Sequence, residues 1–291
     1  GQTGTLLPSI AEQTGLHAET PVFAGGADNA CGAIGAGILT SGKTMCSIGT
    51  SGVILAHEDD STRDFEGKVH FFNHGKKNAF YTMGVTLSAG HSLQWFKETF
   101  AAEESFEELL ANVGDILPGA GGLLYTPYLA GERTPHPDSV IRASFIGIDS
   151  AHTKAHFARA VMEGITFSLQ ESIDLFRAEG KIVDTVISIG GGAKNNVWLQ
   201  MQADIFDAKV VQLQNEQGPA MGAAMIAAAG NGMFGSLEEC ADVFIKEGQA
   251  FMPDPERAEV YKSLFSIYKK VYSQTKKINE NMLNVLLPLV V

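Results

Sequence analysis

An α/β protein is what this sequence predicts, on three observations. Short apolar runs such as KTMCSIGT (43–50), SGVILAHE (51–58) and KVVQLQ (209–214) alternate with stretches of helical periodicity. Glycine turns open helices at GGADN (25–29), SAGHS (88–92) and IGGGAKN (189–195). One segment, from about Thr153 to Arg177, carries Phe157, Val161, Ile165, Leu169, Ile173 and Phe176 at spacings of three and four. That spacing makes one buried stripe on a long helix.

Taken in order, LLPSIAEQTGL predicts a short helix, PVFAGG a strand, and DNACGAIGAGIL a helix that packs closely through its glycines. KTMCSIGT and SGVILAHE are two strands around a tight turn, AFYTMGVT is a further strand, and a helix runs from about Ser88 to Phe100. The AEESFEELL run (102–110) reads as a solvated helix face. GERTPHPDSVIR (131–142) is polar and proline-containing, hence a long loop, and RASFIGI returns as a strand. After the long helix, TVISIGGGAKN is a strand ending in glycines, NVWLQMQADIFDA a helix, KVVQLQ a strand and GPAMGAAMIAAAGNG a small-residue helix. From Ser236 onward the pattern is helical, with SLEECADVFI and an amphipathic segment from about Pro255. The closing LNVLLPLVV (283–291), interrupted by Pro288, reads as a docked or crystal-ordered tail.

Composition excludes several classes. The 291 residues, 45% hydrophobic, supply a sizeable core, and the length suggests about two domains. A net charge of −12 without a basic patch argues against nucleic acid and anionic membranes as partners. No apolar run is long enough to span a bilayer. Three dispersed cysteines (Cys31, Cys46, Cys240) without metal spacing read as reduced thiols in a cytoplasmic protein. The opening GQTGTLLPSI has no methionine, basic region or signal-peptide core, so the chain is expected to be part of something longer.

Four stretches carry chemistry. In FAGGADNACGAIGAG (23–37) a lone acid, Asp28, stands among small and apolar neighbours. It either caps the following helix or takes a proton from a molecule that the glycines let approach. SIGTSG (47–52), TLSAGHSLQW (86–95) and ISIGGGAKNN (187–196) are glycine turns beside strands or helix starts, where exposed backbone N–H groups suit a phosphate. Neither GxGxxG nor GxxxxGK[ST] occurs, which removes the Rossmann and P-loop readings.

In this order, acid-bearing glycine turn, hydroxyl–glycine hairpin, glycine–glutamine helix start and glycine strand–helix turn, the chain resembles the C-terminal part of the FGGY family of carbohydrate kinases. YLAGERTPHPD (128–138) resembles the members that phosphorylate D-xylulose more than those acting on glycerol, gluconate or ribulose. The resemblance implies an actin-like, ribonuclease-H-type fold, ATP with Mg2+, and transfer of phosphate to the terminal hydroxyl of the sugar. Carried over by position, Asp28 is the general base. Gly49, Thr50 and Gly52 hold the terminal phosphates, Gly90 and Gln94 contact nucleotide, and Gly191, Gly192 and Asn195 line the adenosine pocket. The family's D-x-G-T hairpin is absent. The expectation is therefore that residues 1–40 are the last elements of an N-terminal domain and 41–291 the ATP-binding C-terminal domain. Alone, the chain should bind nucleotide weakly, phosphorylate nothing and self-associate, with dimers expected beside monomers, through apolar surface on 1–40.

Three further readings concern single residues. Glu132, Arg133 and His136 serve the sugar side or brace their loop. His74 and His91 have surface or packing roles. Glu163 and Glu171 face solvent or an ion pair, and side chains alone are not expected to form a metal site. A non-catalytic nucleotide-binding module, and a kinase for another ketose, a polyol or a sugar acid, are the alternatives.

Overall fold

A computed structural model describes residues 1–62 and 65–286 of the chain. The chain opens with strand β1 (Gln2–Thr5), helix α1 (Pro8–Thr14) and strand β2 (Pro21–Phe23), then helix α2 (Asp28–Gly35). Strands β3 (Gly42–Ile48), β4 (Gly52–Glu58), β5 (His70–Asn73) and β6 (Phe80–Thr86) follow, with helices α3 (Gly90–Phe100) and α4 (Phe106–Leu110) after them. Strands β7 (Leu124–Thr126) and β8 (Ser144–Ile146) flank the polar loop and lead to α5 (Lys154–Ala178). The rest comprises β9 (Val183–Gly190), α6 (Asn196–Phe206), β10 (Lys209–Leu213), α7 (Gly218–Gly230), α8 (Leu237–Phe244), β11 (Glu247–Phe251) and α9 (Pro255–Leu286).

The main sheet has the order β11-β10-β9-β3-β4-β6-β5. β3, β4 and β6 form an antiparallel meander, to which β9 and then β10 add in parallel. This is the ribonuclease-H-type arrangement that the resemblance implies. Both faces are covered. Cys46, Ile48, Ile54 and Ala56 pack with α3, α5 and α6, while Met45, Leu55, Tyr81 and Ile187 pack with Ala30 and Ala33 of α2. Burial on both faces is why β3 and β4 read as near-continuous apolar runs.

Helix α5 is buried on nearly every side from Ala158 to Ile173, where the periodicity predicts one stripe. The cause is its position: α3, α6, β6 and β7 all contact it. Glu163 and Glu171 accordingly do not face solvent, being 2% and 5% exposed; the ion-pair reading holds for Glu163, which pairs with Arg159, while Glu171 lies beside the His136 ring. Glu163 Oε1 meets Arg159 Nε at 2.8 Å, the Tyr261 hydroxyl at 2.8 Å and the Gly119 N–H at 3.0 Å. Arg159 also donates to the Val113 carbonyl and to Tyr261, so one buried network joins α5, α9 and two turns.

Helices α2 and α7 touch backbone to backbone. A Cβ added at Gly222 would stand 1.8 Å from the Cys31 carbonyl oxygen, and one at Gly35 would stand 2.5 Å from that of Gly218. Only glycine permits this approach. Residues 1–29 are far less packed: Ala11 alone is buried, and Leu7 and Leu16 stay exposed. The exposed large apolar side chains of this stretch are Leu7, Ile10, Leu16 and Val22, whereas residues 30–36 and Ile38–Leu39 are buried. Residues 287–291 of the expected docked tail lie outside the described residues; Val285 and Leu286 before them are exposed ends of α9.

Strands β1, β5, β7 and β11 have no counterpart in the sequence reading. β11 is exposed at four of its five residues and β1 at all four, so neither shows the alternation that marks a half-buried strand.

Candidate functional site

Three glycine turns distant in sequence meet around one cavity of about 720 Å³. Its lining includes Gly49 and Thr50 from the β3–β4 hairpin, Gly90 and Gln94 from α3, and Gly191, Gly192 and Asn195 from the β9–α6 turn. Parallel pairing of β3 with β9 sets Ile48 beside Gly190, which brings the hairpin and the β9–α6 turn to the same end of the sheet. Two smaller cavities, of about 450 and 320 Å³, hold none of these residues.

Each glycine has its own physical reason. Gly90 donates its N–H to the Gly49 carbonyl at 2.8 Å, and His91 donates to Thr50 at 3.1 Å. The start of α3 thus clamps the hairpin, and a Cβ at Gly90 would lie 2.4 Å from the Gly49 oxygen. Gly192 lies against the Ile48 side chain at 2.5 Å from its would-be Cβ. Gly191 is open, with nothing nearer than 3.4 Å. Gly52 does not line the cavity; it is buried in β4 against Thr86, Leu169 and Ala89, so its lack of a side chain serves packing there.

The hairpin presents unused donors. Among the described residues the N–H groups of Thr50 and Ser51 and the Thr50 hydroxyl make no hydrogen bond. Such a turn of outward N–H groups is an anion cradle. Asn195 caps α6, its side-chain oxygen accepting from Trp198 N–H at 3.0 Å, and Gln94 donates to Glu98. Lys194 supplies a cation to the lining.

Apolar surface completes the cavity: Ile48, Leu93, Phe106, Leu110 and Trp198. An apolar pocket wall with a few polar groups beside it suits an aromatic base. The AEESFEELL run is thus more than a solvated face. Ser105 caps α4 through a capping box, Leu109 is buried, and Phe106, Glu107 and Leu110 reach the cavity. The capping box S-F-E-E was legible as a helix start; nothing in the sequence said which face the helix would turn inward.

Asp28 stands apart from this lining. Ala27 is the N-cap of α2 and makes no side-chain cap, while Asp28 is the first helical residue and is exposed. Its Oδ1 accepts from the adjacent Asn29 N–H at 2.7 Å, and Oδ2 has no hydrogen bond among the described residues. Burial chiefly, and then the charge of Asp28, hold the Tyr81 hydroxyl above its usual range.

In the long loop, bracing contacts dominate. Glu132 is 3% exposed. Its carboxylate accepts from the N–H groups of Leu87 and Arg133 and from the hydroxyls of Thr86 and Ser168. Burial pushes its acid up to about 7 against these donors. The His136 ring stacks on Tyr272 at 3.8 Å, with Nε2 at 3.5 Å from Glu171 Oε1. His74 is buried, its Nε2 at 3.0 Å from the Ile38 carbonyl, and burial lowers it to about 4. His91 is exposed at the cavity mouth.

The two neighbouring glycines provide a clean test. Gly191→Val should leave the fold intact and weaken ADP binding by at least about tenfold, since the branched side chain fills space that only a ligand would use. Gly192→Val should instead lower the melting temperature, because it collides with Ile48. Calorimetric titration and thermal unfolding of both variants decide; unchanged ADP affinity in folded Gly191→Val would place the nucleotide elsewhere.

Residues 44–230 match the model of the FGGY family of carbohydrate kinases, C-terminal domain. The chain is 68% identical over 276 residues to a xylulose kinase of Bacillus subtilis (strain 168), covering 95% of this chain and 55% of that protein. The structure superposes with a TM-score of 0.90 on ligand-bound xylulose kinase from Lactobacillus acidophilus, at 25% identity, covering 97% of this chain and 57% of the other. Gluconate kinase from the same organism gives 0.87 at 26% identity, covering 94% and 56%. The chain thus spans little more than half the length of the relatives it matches. Matched across most of its main sheet and through all three glycine turns of the cavity, the chain belongs to the FGGY family of carbohydrate kinases.

Proposed function

We propose that this chain supplies the nucleotide side of a kinase that transfers the terminal phosphoryl group of ATP to D-xylulose, giving D-xylulose 5-phosphate. The observation that carries the reading is the convergence of the three glycine turns on one cavity with an apolar wall and an anion cradle. In this reading the base of ATP lies between Phe106, Leu110, Trp198 and the bare backbone of Gly191 and Gly192. The terminal phosphates meet the Thr50 hydroxyl and the N–H groups of Thr50 and Ser51, with Lys194 near.

Phosphoryl transfer asks for positioning and charge stabilisation more than covalent help. Asp28 takes the proton of the attacking hydroxyl through Oδ2, the oxygen left without a hydrogen bond. No group of three potential metal-ligating side chains occurs among the described residues. Magnesium would accordingly arrive with the nucleotide, held by phosphate and water, and shield the charge of the phosphates. We assign residues 1–40, which include α2, to the base-bearing part of the enzyme and 41–291 to its ATP-binding domain. The three free, buried cysteines fit a reducing, cytoplasmic compartment.

The relatives favour D-xylulose over another ketose, a polyol or a sugar acid, the 68% identity to a xylulose kinase being the strongest support. The test is an assay of the longer protein with ATP, Mg2+ and each of D-xylulose, D-ribulose, glycerol and gluconate. The expected kcat/KM for D-xylulose exceeds the others by at least about tenfold. A preference for gluconate would overturn the substrate and leave the kinase standing, whereas no turnover with any sugar would overturn both.

A further inference from the structure

We infer that Glu132 is a positioning residue for the phosphate end of the cavity, holding the β6–α3 junction against the β3–β4 hairpin. The inference rests on the nucleotide reading above. Glu132 makes no contact with the cavity; it acts through backbone. One oxygen accepts from Leu87 N–H at 3.0 Å and Arg133 N–H at 2.7 Å, and the other from the Thr86 hydroxyl and from Ser168 Oγ at 3.2 Å. Thr86 ends β6 and pairs with Gly52, the first residue of β4. Leu87 begins the short turn into α3, whose Gly90 and His91 donate to the carbonyls of Gly49 and Thr50. A few residues of taut backbone therefore connect the carboxylate to the two hairpin carbonyls. That clamp orients the free N–H groups of Thr50 and Ser51.

Chemistry favours this role over a plain loop brace. Four donors surround one carboxyl group, two N–H and two hydroxyls, and the hydroxyls of Thr86 and Ser168 also meet each other at 2.7 Å. Keeping a carboxylate at 3% exposure is costly unless each of its lone pairs is used. A loop could be pinned by an apolar side chain at lower cost. Of the four donors, two belong to the β6–α3 junction, one to α5 and one to the loop itself. The carboxyl group is therefore aimed at the junction.

Glu132→Ala and Glu132→Gln separate the possibilities. Two readouts are used: amide exchange at Gly90 and His91, and ADP affinity followed by fluorescence of Trp198 at the cavity wall. For Glu132→Ala, exchange at Gly90 and His91 should rise at least about tenfold relative to Met45 and Ile187 in the central strands. ADP Kd should rise at least about fivefold. Glu132→Gln, which keeps an acceptor for Leu87, should recover most of both. A lower melting temperature with unchanged local exchange and Kd would make Glu132 a loop brace only and overturn the inference. Should Glu132→Ala not fold, Thr86→Val with Ser168→Ala removes two of the four donors and is read in the same way. If Gly191→Val leaves ADP affinity unchanged, the nucleotide reading fails, and exchange at Gly90 and His91 still decides the coupling.

Discussion

Asp28→Asn in the longer protein should lower sugar-dependent ATP turnover by about 10²–10⁴-fold while changing ADP affinity by less than about twofold. The substitution is nearly isosteric. An asparagine oxygen at this position can still accept from the Asn29 N–H, so the first turn of α2 keeps its one local contact. The cavity does not include position 28, which is why binding should survive. Loss of a negative charge at a helix start costs about 0.3–1 kcal/mol of stability, small beside the kinetic effect. What disappears is the carboxylate that would accept the proton of the attacking hydroxyl. Steady-state turnover and calorimetric ADP binding, measured on the same preparation, give the answer. A variant retaining more than about a tenth of kcat would remove Asp28 from the role of base.

Glu163→Ala should destabilise the fold strongly, by about 3–5 kcal/mol. Glu163 accepts from Arg159, Tyr261 and Gly119, and it is the only carboxylate paired with Arg159 among the described residues. Arg159 is 6% exposed, so truncating its partner strands a guanidinium in the interior. Removing one member of a buried pair costs far more than the pair contributes as a whole. Arg159→Met with Glu163→Leu should therefore be milder than Glu163→Ala alone. Chemical denaturation of the three proteins tests this. If Glu163→Ala cost under about 1 kcal/mol, the network would be no tighter than a surface ion pair.

The sequence made some elements plain and hid others, for reasons that differ by residue. The β3–β4–β6 meander was legible because apolar residues and a glycine turn coincide. The glycine turns were legible as anion-friendly backbone. Their meeting was not, since it depends on parallel pairing of β3 with β9 across the intervening chain. Helical periodicity locates α5 within a residue at each end, yet it counts apolar positions only. Glu163 and Glu171 therefore read in sequence as facing solvent or an ion pair, whereas the helix is buried nearly all round. Gly52 and Gly90 read in sequence as ligand contacts. Their missing side chains answer first to protein atoms, Thr86 and Leu169 for one and the Gly49 carbonyl for the other. Phe106 and Leu110 were legible as helix and illegible as cavity wall, because α4 is placed by tertiary packing alone.

The pairing of β3 with β9 also bears on how the molecule is assembled. Gly42 partners Val183, so the centre of the sheet joins positions about 140 apart in the chain, while β3 and β4 meet across a three-residue turn. On loop-closure entropy the long connection costs on the order of 3 kcal/mol more than the hairpin. Local pairings form quickly and distant ones late. The meander, with its cradle at Thr50, is expected to take shape first, and β9 to dock last, carrying Gly190–Gly192 in with it. During synthesis the cradle would leave the ribosome long before its opposite wall. Nucleotide binding then becomes a reporter of the final folding event, and a nucleotide added during refolding would capture the chain only after that event is complete.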